Sequence, residues 1–157
     1  TRKESSAASD VYKRQPLFSG LWIALVTPFK DGAVDHPALA ALTTRLRADG
    51  VAGFVACGST GEAAALDKAE QLQVLETVLS AAQGLPVVMG VSGYHQGQVL
   101  EQVQALAHHP VAGLLVSAPH YIRPSQEGLL HWFRTLADAS AVPLLIYDIP
   151  YLSLIHI

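Results

Sequence analysis

Short apolar segments recur about every 30 residues along this chain of 157 residues, and helical patterns lie between them. Strands that alternate with helices of about 10–15 residues are typical of β-α-β units, whose parallel strands form one sheet. Half of the residues are hydrophobic and only 15 % are charged, which fits strands that are buried on both faces. The pattern predicts an α/β protein with five strands, at Leu21–Val26, Val51–Cys57, Pro86–Gly90, Val111–Val116 and Val142–Tyr147.

Four helices are predicted between these strands from their start and stop signals. Asp35 is a predicted N-cap, with Pro37 in the first turn of the first helix. Asp67 and Glu70 have the spacing of a capping box at the start of the second helix. The four predicted helices span residues 35–50, 67–84, 96–108 and 125–140.

The similar lengths of the four helices favour a barrel over a doubly wound sheet. A (β/α)8 TIM barrel needs about 250 residues. Five strands and four helices are therefore predicted to be the N-terminal part of a truncated TIM barrel, over residues 16–150. Residues 1–15 are predicted to be a foreign-looking or disordered head and residues 151–157 a non-native-looking tail. The alternative is a native flexible tail at each end.

Charge and composition argue against several classes of partner. The net charge is −3 and lysine and arginine do not cluster, which argues against binding to nucleic acid or an anionic membrane. No apolar run approaches the roughly 18 residues of a membrane span. The histidines lack the spacing of metal ligands and no nucleotide-binding glycine motif is present, so neither a metal nor a cofactor is expected. The single cysteine, Cys57, is predicted to be a small buried residue of a cytoplasmic protein and not a reactive thiol.

Hydroxyl groups follow most of the predicted strands. The segment Gly58–Glu62 has two readings: an ordinary turn before a helix, or a loop that presents two hydroxyls and several backbone N–H groups at a strand's carboxyl end. In a barrel, that end carries the chemistry. Hydroxyls can pass protons between neighbours and bind a carboxylate. Glu62 is predicted to anchor a helix start instead of acting as a catalytic acid. The other predicted strand ends carry Thr27, Ser92, Tyr94, Ser117, Tyr121 and Tyr147.

Four motifs follow one another along the chain: Val26–Phe29, Gly58–Glu62, Pro119–Gly128 and Tyr147–Pro150. In this order and at this spacing they resemble the dihydrodipicolinate synthase family over residues 17–150. The resemblance implies a lyase of the class I pyruvate aldolases, which forms a Schiff base with pyruvate. It also implies condensation with aspartate semialdehyde to 4-hydroxy-tetrahydrodipicolinate, in the cytoplasmic biosynthesis of lysine and diaminopimelate. The implied assembly is a homotetramer made of two tight dimers.

The resemblance implies a role for each of four residues. Tyr147 matches the tyrosine that carries protons to and from the imine. Ser59 takes the place of the usual threonine in the proton relay. Tyr121 matches the third member of the relay, which reaches across the dimer interface. Thr60 matches the residue that binds the pyruvate carboxylate.

Two parts of the family's active site are not found in this sequence. The Schiff-base lysine of the family lies on the strand after that of Tyr147, and Leu152 stands in place of the arginine that binds the second substrate. The chain as written is therefore predicted to lack aldolase activity. The alternatives are another pyruvate-dependent aldolase or dehydratase of the same superfamily, or a non-catalytic half-barrel that binds a partner. The resemblance also implies a site for inhibition by lysine, but the loop at 93–96 and Gln98 lack the asparagine and glutamate of lysine-sensitive members, and His120 replaces a tyrosine there. We therefore expect the intact enzyme to be only weakly inhibited by lysine.

Overall fold

The computed structural model describes residues 18–149. Its seven strands are β1 (Trp22–Ala24), β2 (Phe29–Lys30), β3 (Ala33–Val34), β4 (Gly53–Ala56), β5 (Val87–Val91), β6 (Gly113–Ser117) and β7 (Leu144–Tyr147). Its four α-helices are α1 (His36–Ala48), α2 (Lys68–Ala82), α3 (Gln96–Leu106) and α4 (Gln126–Ala139). Five strands form one parallel sheet in the order β1-β4-β5-β6-β7, and β2 and β3 form a separate antiparallel pair.

The five predicted strands and four predicted helices are confirmed, with small shifts at their ends. β5 and β6 each extend one residue beyond the predicted strand, to Val91 and Ser117. The third predicted helix ends at Leu106, two residues early. The predicted head and tail lie outside the described residues.

The predicted caps explain where two of the helices begin. The Asp35 side chain accepts a hydrogen bond from the N–H of Ala38 at 2.9 Å. Asp67 and Glu70 form a complete capping box, because each side chain accepts from the other residue's backbone N–H, at 2.8 and 2.9 Å. Each side chain satisfies a donor that a helix start leaves without a partner.

The β2–β3 hairpin was not predicted from the apolar pattern, because its strands are only two residues long. Its turn is made by Asp31 and Gly32, whose φ angles are 53° and 82°. An Asp-Gly pair with two positive φ angles is a strong hairpin signal. The Asp31-Gly32 dipeptide is therefore the sequence signal that predicts this hairpin.

The core lies between the sheet and the four helices. Met89, Leu114 and Val116 are fully buried on the helix-facing side, with Trp132 and Leu136 of α4 in the same cluster. Successive side chains of a strand point to opposite faces, so the residues between them lie on the other face of the sheet. None of the helices within 18–149 is long and apolar enough to cross a membrane.

Candidate active site at the carboxyl edge of the sheet

A cavity of about 230 Å³ lies where the parallel strands end. Its wall is formed by residues near the ends of β5, β6 and β7 and by the segments that follow β4, β5, β6 and β7, because parallel strands bring their carboxyl ends to one edge. The cavity is lined by Cys57, Gly58, Ser59, Glu62, Ala63, Ala64, Gly90, Val91, Ser92, Leu115, Ser117, His120, Tyr147 and Ile149.

The chain leaves β4 through an irregular turn that presents Ser59. Cys57 has a φ of 53°, which few residues other than glycine adopt, and the backbone then enters a 3₁₀ turn over Ser59–Gly61. Two hydrogen bonds close this turn, from Gly61 N–H to the Gly58 carbonyl at 3.0 Å and from Glu62 N–H to the Ser59 carbonyl at 3.2 Å. The reading of this segment as a mere turn before a helix is incomplete, because α2 begins only at Lys68.

Thr27, in the segment that follows β1, holds that turn. Its side chain is 4 % exposed, and its hydroxyl donates to the Gly61 carbonyl at 2.7 Å. Gly61 also lies so close to β1 that a Cβ there would come within 2.9 Å of the Leu25 carbonyl oxygen. The segments that follow β1 and β4 are therefore in direct contact at Gly61, two residues after Ser59.

The structure brings two of the four predicted site residues to the cavity. Ser59 and Tyr147 both line it, although they are 88 positions apart along the sequence (147 − 59). Thr60 is exposed in the 3₁₀ turn, and neither Thr60 nor Tyr121 is among the lining residues.

Tyr121 extends away from the rest of the described chain. Its φ is 68°, and the Ile122 N–H donates to the His120 carbonyl at 2.7 Å, so that Tyr121 is the central residue of a γ-turn. Its side chain is 95 % exposed. A positive φ at a tyrosine is costly, and such conformations gather at functional sites.

Two other groups in the cavity wall differ in character. Cys57 is 3 % exposed, and its burial raises the pKa of the thiol to about 12. The thiol is therefore protonated at neutral pH. The predicted burial of Cys57 is confirmed. Glu62 starts the second 3₁₀ turn, Ala63–Ala65, but its side chain makes no capping hydrogen bond. Glu62 thus lies at a helix start, as predicted, but its side chain does not anchor that start through a hydrogen bond.

Within residues 18–149, no three histidine, cysteine, aspartate or glutamate side chains lie together in a way that could hold a metal ion. The polar groups of the cavity are mainly hydroxyls, which suit proton transfer and the binding of carboxylate or carbonyl oxygens.

Comparison with known proteins decides the family. A model of the dihydrodipicolinate synthetase family matches residues 17–157. The chain belongs to this family. It is 38 % identical over 135 residues to a 4-hydroxy-tetrahydrodipicolinate synthase of Pelobacter propionicus, a match that covers 85 % of this chain and 47 % of the relative. The chain thus spans about half the length of the curated relatives it matches.

Two solved structures of the family show the same architecture. A dihydrodipicolinate synthase from Aquifex aeolicus matches with a TM-score of 0.82 and 34 % identity, covering 87 % of this chain and 47 % of that one. A chloride-inhibited dihydrodipicolinate synthase from Acinetobacter baumannii, complexed with pyruvate, matches with a TM-score of 0.81 and 32 % identity, covering 85 % and 47 %. The predicted TIM-barrel class is confirmed, with the five strands and four helices corresponding to part of that barrel.

Two features of the cavity were missed from the sequence. The sequence relates His120 only to inhibition by lysine, but in the structure His120 lines the cavity together with Ser59 and Tyr147. Gly90 lines it as well, and no local pattern marked that glycine. The place of Gly90 in the cavity wall depends on how β5 pairs with its neighbours, and this can be predicted only when the register of the sheet is known.

Proposed function

We propose that this chain supplies the hydroxyl-bearing part of a pyruvate-dependent lyase site of the dihydrodipicolinate synthase type. The observation that carries the proposal is that Ser59 and Tyr147 line one cavity at the carboxyl edge of a parallel sheet. The substrates are pyruvate and aspartate semialdehyde, and the product is 4-hydroxy-tetrahydrodipicolinate. The names of the relatives and the pyruvate bound by the Acinetobacter baumannii enzyme support this choice.

Tyr147 and Ser59 are proposed as proton-transfer residues. Imine formation and hydrolysis require a proton to be delivered to and removed from the keto oxygen and the nitrogen. Hydroxyls accept and donate at the same oxygen, so a chain of them moves a proton without a net charge in the cavity. Thr60, exposed on the same turn as Ser59, is proposed to bind the pyruvate carboxylate with the backbone N–H groups of the turn.

Tyr121 is proposed to complete the relay in a neighbouring subunit. Its side chain is 95 % exposed and absent from the cavity lining of its own chain, which supports a role in a second copy. The proposed assembly, a homotetramer built from tight dimers in the cytoplasm, rests on membership of the family.

The chain of 157 residues is itself proposed to be inactive. An imine-forming lysine is desolvated so that its amine is neutral and nucleophilic. Lys30 lies on β2 and Lys68 at the start of α2, and both side chains are exposed. Neither is among the residues that line the cavity, so neither is placed to attack a bound keto acid.

A chimera tests the proposed roles. Residues 18–149 are joined to the part of the Pelobacter propionicus relative that lies beyond the matched region, and condensation of the two substrates is assayed. We expect Tyr147→Phe to lower kcat by about 100-fold or more, as loss of general acid–base catalysis does. Ser59→Ala lowers kcat while Ser59→Thr retains it, because threonine keeps the hydroxyl.

The matched control is Tyr94→Phe, since Tyr94 is 67 % exposed and does not line the cavity. If Tyr147→Phe and Tyr94→Phe leave kcat equally unchanged in a folded chimera, Tyr147 has no role in proton transfer. Trapping with pyruvate and borohydride tests the proposal that the chain of 157 residues is inactive. We expect no covalent adduct with that chain.

A further inference from the structure

Ser117 carries a buried hydroxyl that has no use in the fold. The residue is 5 % exposed, and its Oγ makes no hydrogen bond within the described part of the chain. Buried hydroxyls are nearly always hydrogen-bonded, because an unpaired one loses its water without replacement. Ser117 also lines the candidate active site, and alternation along β6 places its side chain, like that of Leu115, on the face of the sheet opposite the helices.

The backbone of Ser117 is held firmly in this position. Trp132 of α4 donates its indole N–H to the Ser117 carbonyl at 3.3 Å, and Trp132 itself is 5 % exposed. This contact, made from the helix-packed side, fixes the last residue of β6. The side chain of Ser117 is therefore presented to the cavity by a rigid element.

Ser117 is the register partner of Tyr147 on the adjacent parallel strand. Neighbouring strands lie about 4.8 Å apart. The turn that presents Ser59 follows β4, which is two strands from β6 in the sheet order. Ser117 is thus closer to the proposed proton-transfer tyrosine than to the turn proposed to bind the carboxylate.

We propose that the Ser117 hydroxyl donates a hydrogen bond to the keto oxygen of a bound 2-oxo acid, beside Tyr147. This assignment rests on the proposed function. A small acid whose carboxylate faces the turn after β4 directs its keto group toward β6 and β7. Ser117 is then a binding residue that orients the carbonyl, and its hydroxyl gains in the complex the partner that it lacks in the fold.

The test uses the complete chain of 157 residues and two probes, pyruvate and propionate, which share a carboxylate but differ in the keto oxygen. Dissociation constants are measured by NMR titration for the unsubstituted chain, Ser117→Ala and Ser80→Ala. Ser80 is an exposed serine of α2 and serves as the matched control. Thermal unfolding without ligand is measured for all three.

Loss of one neutral hydrogen bond weakens binding by about five-fold. We expect Ser117→Ala to raise the dissociation constant of pyruvate by about that factor and that of propionate by less than two-fold. The unfolding temperature without ligand stays equal or rises, because an unpaired buried hydroxyl has been removed. Ser80→Ala changes neither dissociation constant.

Three results would overturn the assignment: unchanged pyruvate affinity in Ser117→Ala, equal losses for the two probes, or a lower unfolding temperature without ligand. The last would show that the hydroxyl has a structural partner. Absence of saturable pyruvate binding by the unsubstituted chain contradicts the proposed function itself, and the assignment with it. The two failures are therefore distinguishable.

Discussion

Gly90 on β5 lies directly against the backbone carbonyl of Cys57, the residue at which the chain leaves β4. A Cβ at position 90 would overlap the Cys57 carbonyl oxygen and come within 2.9 Å of the Gly58 nitrogen. The left-handed turn at Cys57, with a φ of 53°, therefore depends on a missing side chain on the adjacent strand. Through this contact, β5 determines where Ser59 is placed in the cavity.

Replacing Gly90 tests that dependence. We expect Gly90→Ala to lower the free energy of unfolding by about 1–3 kcal/mol, because the obstructing atoms are backbone and cannot rotate away. Chemical denaturation of the full chain measures the effect. The control is Gly97→Ala in α3, where a Cβ would meet only the end of the His95 side chain at 3.2 Å. Equal stability of the two variants would contradict the close approach.

Thr27 offers a second test of how the turn is held. Thr27→Val removes the hydroxyl that donates to the Gly61 carbonyl at 2.7 Å and keeps the shape of the side chain. A buried carbonyl that loses its donor costs about 1–3 kcal/mol of unfolding free energy. Thr44→Val is the control, since Thr44 is exposed on α1. If both variants unfold at the same denaturant concentration, the bond from Thr27 does not support the turn.

We expect the reactivity of the Cys57 thiol to depend on folding, because the thiol is buried. Burial raises its pKa from the ordinary value of 9.0 to about 12. At pH 8 we expect alkylation by iodoacetamide to be slow in the folded chain and fast in guanidinium chloride. Mass spectrometry measures the modified fraction, and Cys57→Ala controls for reaction elsewhere. Rapid, complete modification of the folded chain at pH 8 would show that the thiol is exposed.

The same pKa shift predicts how stability depends on alkaline pH. Between pH 9 and about 12 the folded chain keeps the thiol proton that the unfolded chain releases. The free energy of unfolding therefore falls as pH rises from 9 toward 12. Below pH 9 the thiol is protonated in both the folded and the unfolded chain, so it adds no pH dependence to the free energy of unfolding. Cys57→Ala should lose less stability over that interval. Parallel decline of the two chains would refute the linkage.

Much of the fold could be predicted from local patterns. The apolar runs predict the strands because each parallel strand is covered on both faces, and the capping box of Asp67 and Glu70 predicts the start of α2 because it satisfies local donors. The Asp31-Gly32 hairpin carried a local signal that the apolar pattern could not detect over two-residue strands.

The details of the candidate site depend on register and not on local sequence. The order of the motifs allowed Ser59 and Tyr147 to be proposed for one site. The position of Ser117, beside Tyr147 and in contact with Trp132, follows only from the register of the sheet and the packing of α4. Likewise, the approach of Gly90 to Cys57 joins residues of two strands separated by a helix. Such distances follow from the assembled sheet.

An NMR titration of the ¹⁵N-labelled chain with pyruvate tests whether the cavity at the carboxyl edge of the sheet binds a 2-oxo acid. We expect saturable shifts of the amide signals of Ser59, Ser117 and Tyr147, which line this cavity. Signals of Gln71 and Gln102 serve as reference, because their side chains line a separate cavity between α2 and α3. Shifts confined to that second cavity, or no saturable shift at all, would contradict the account.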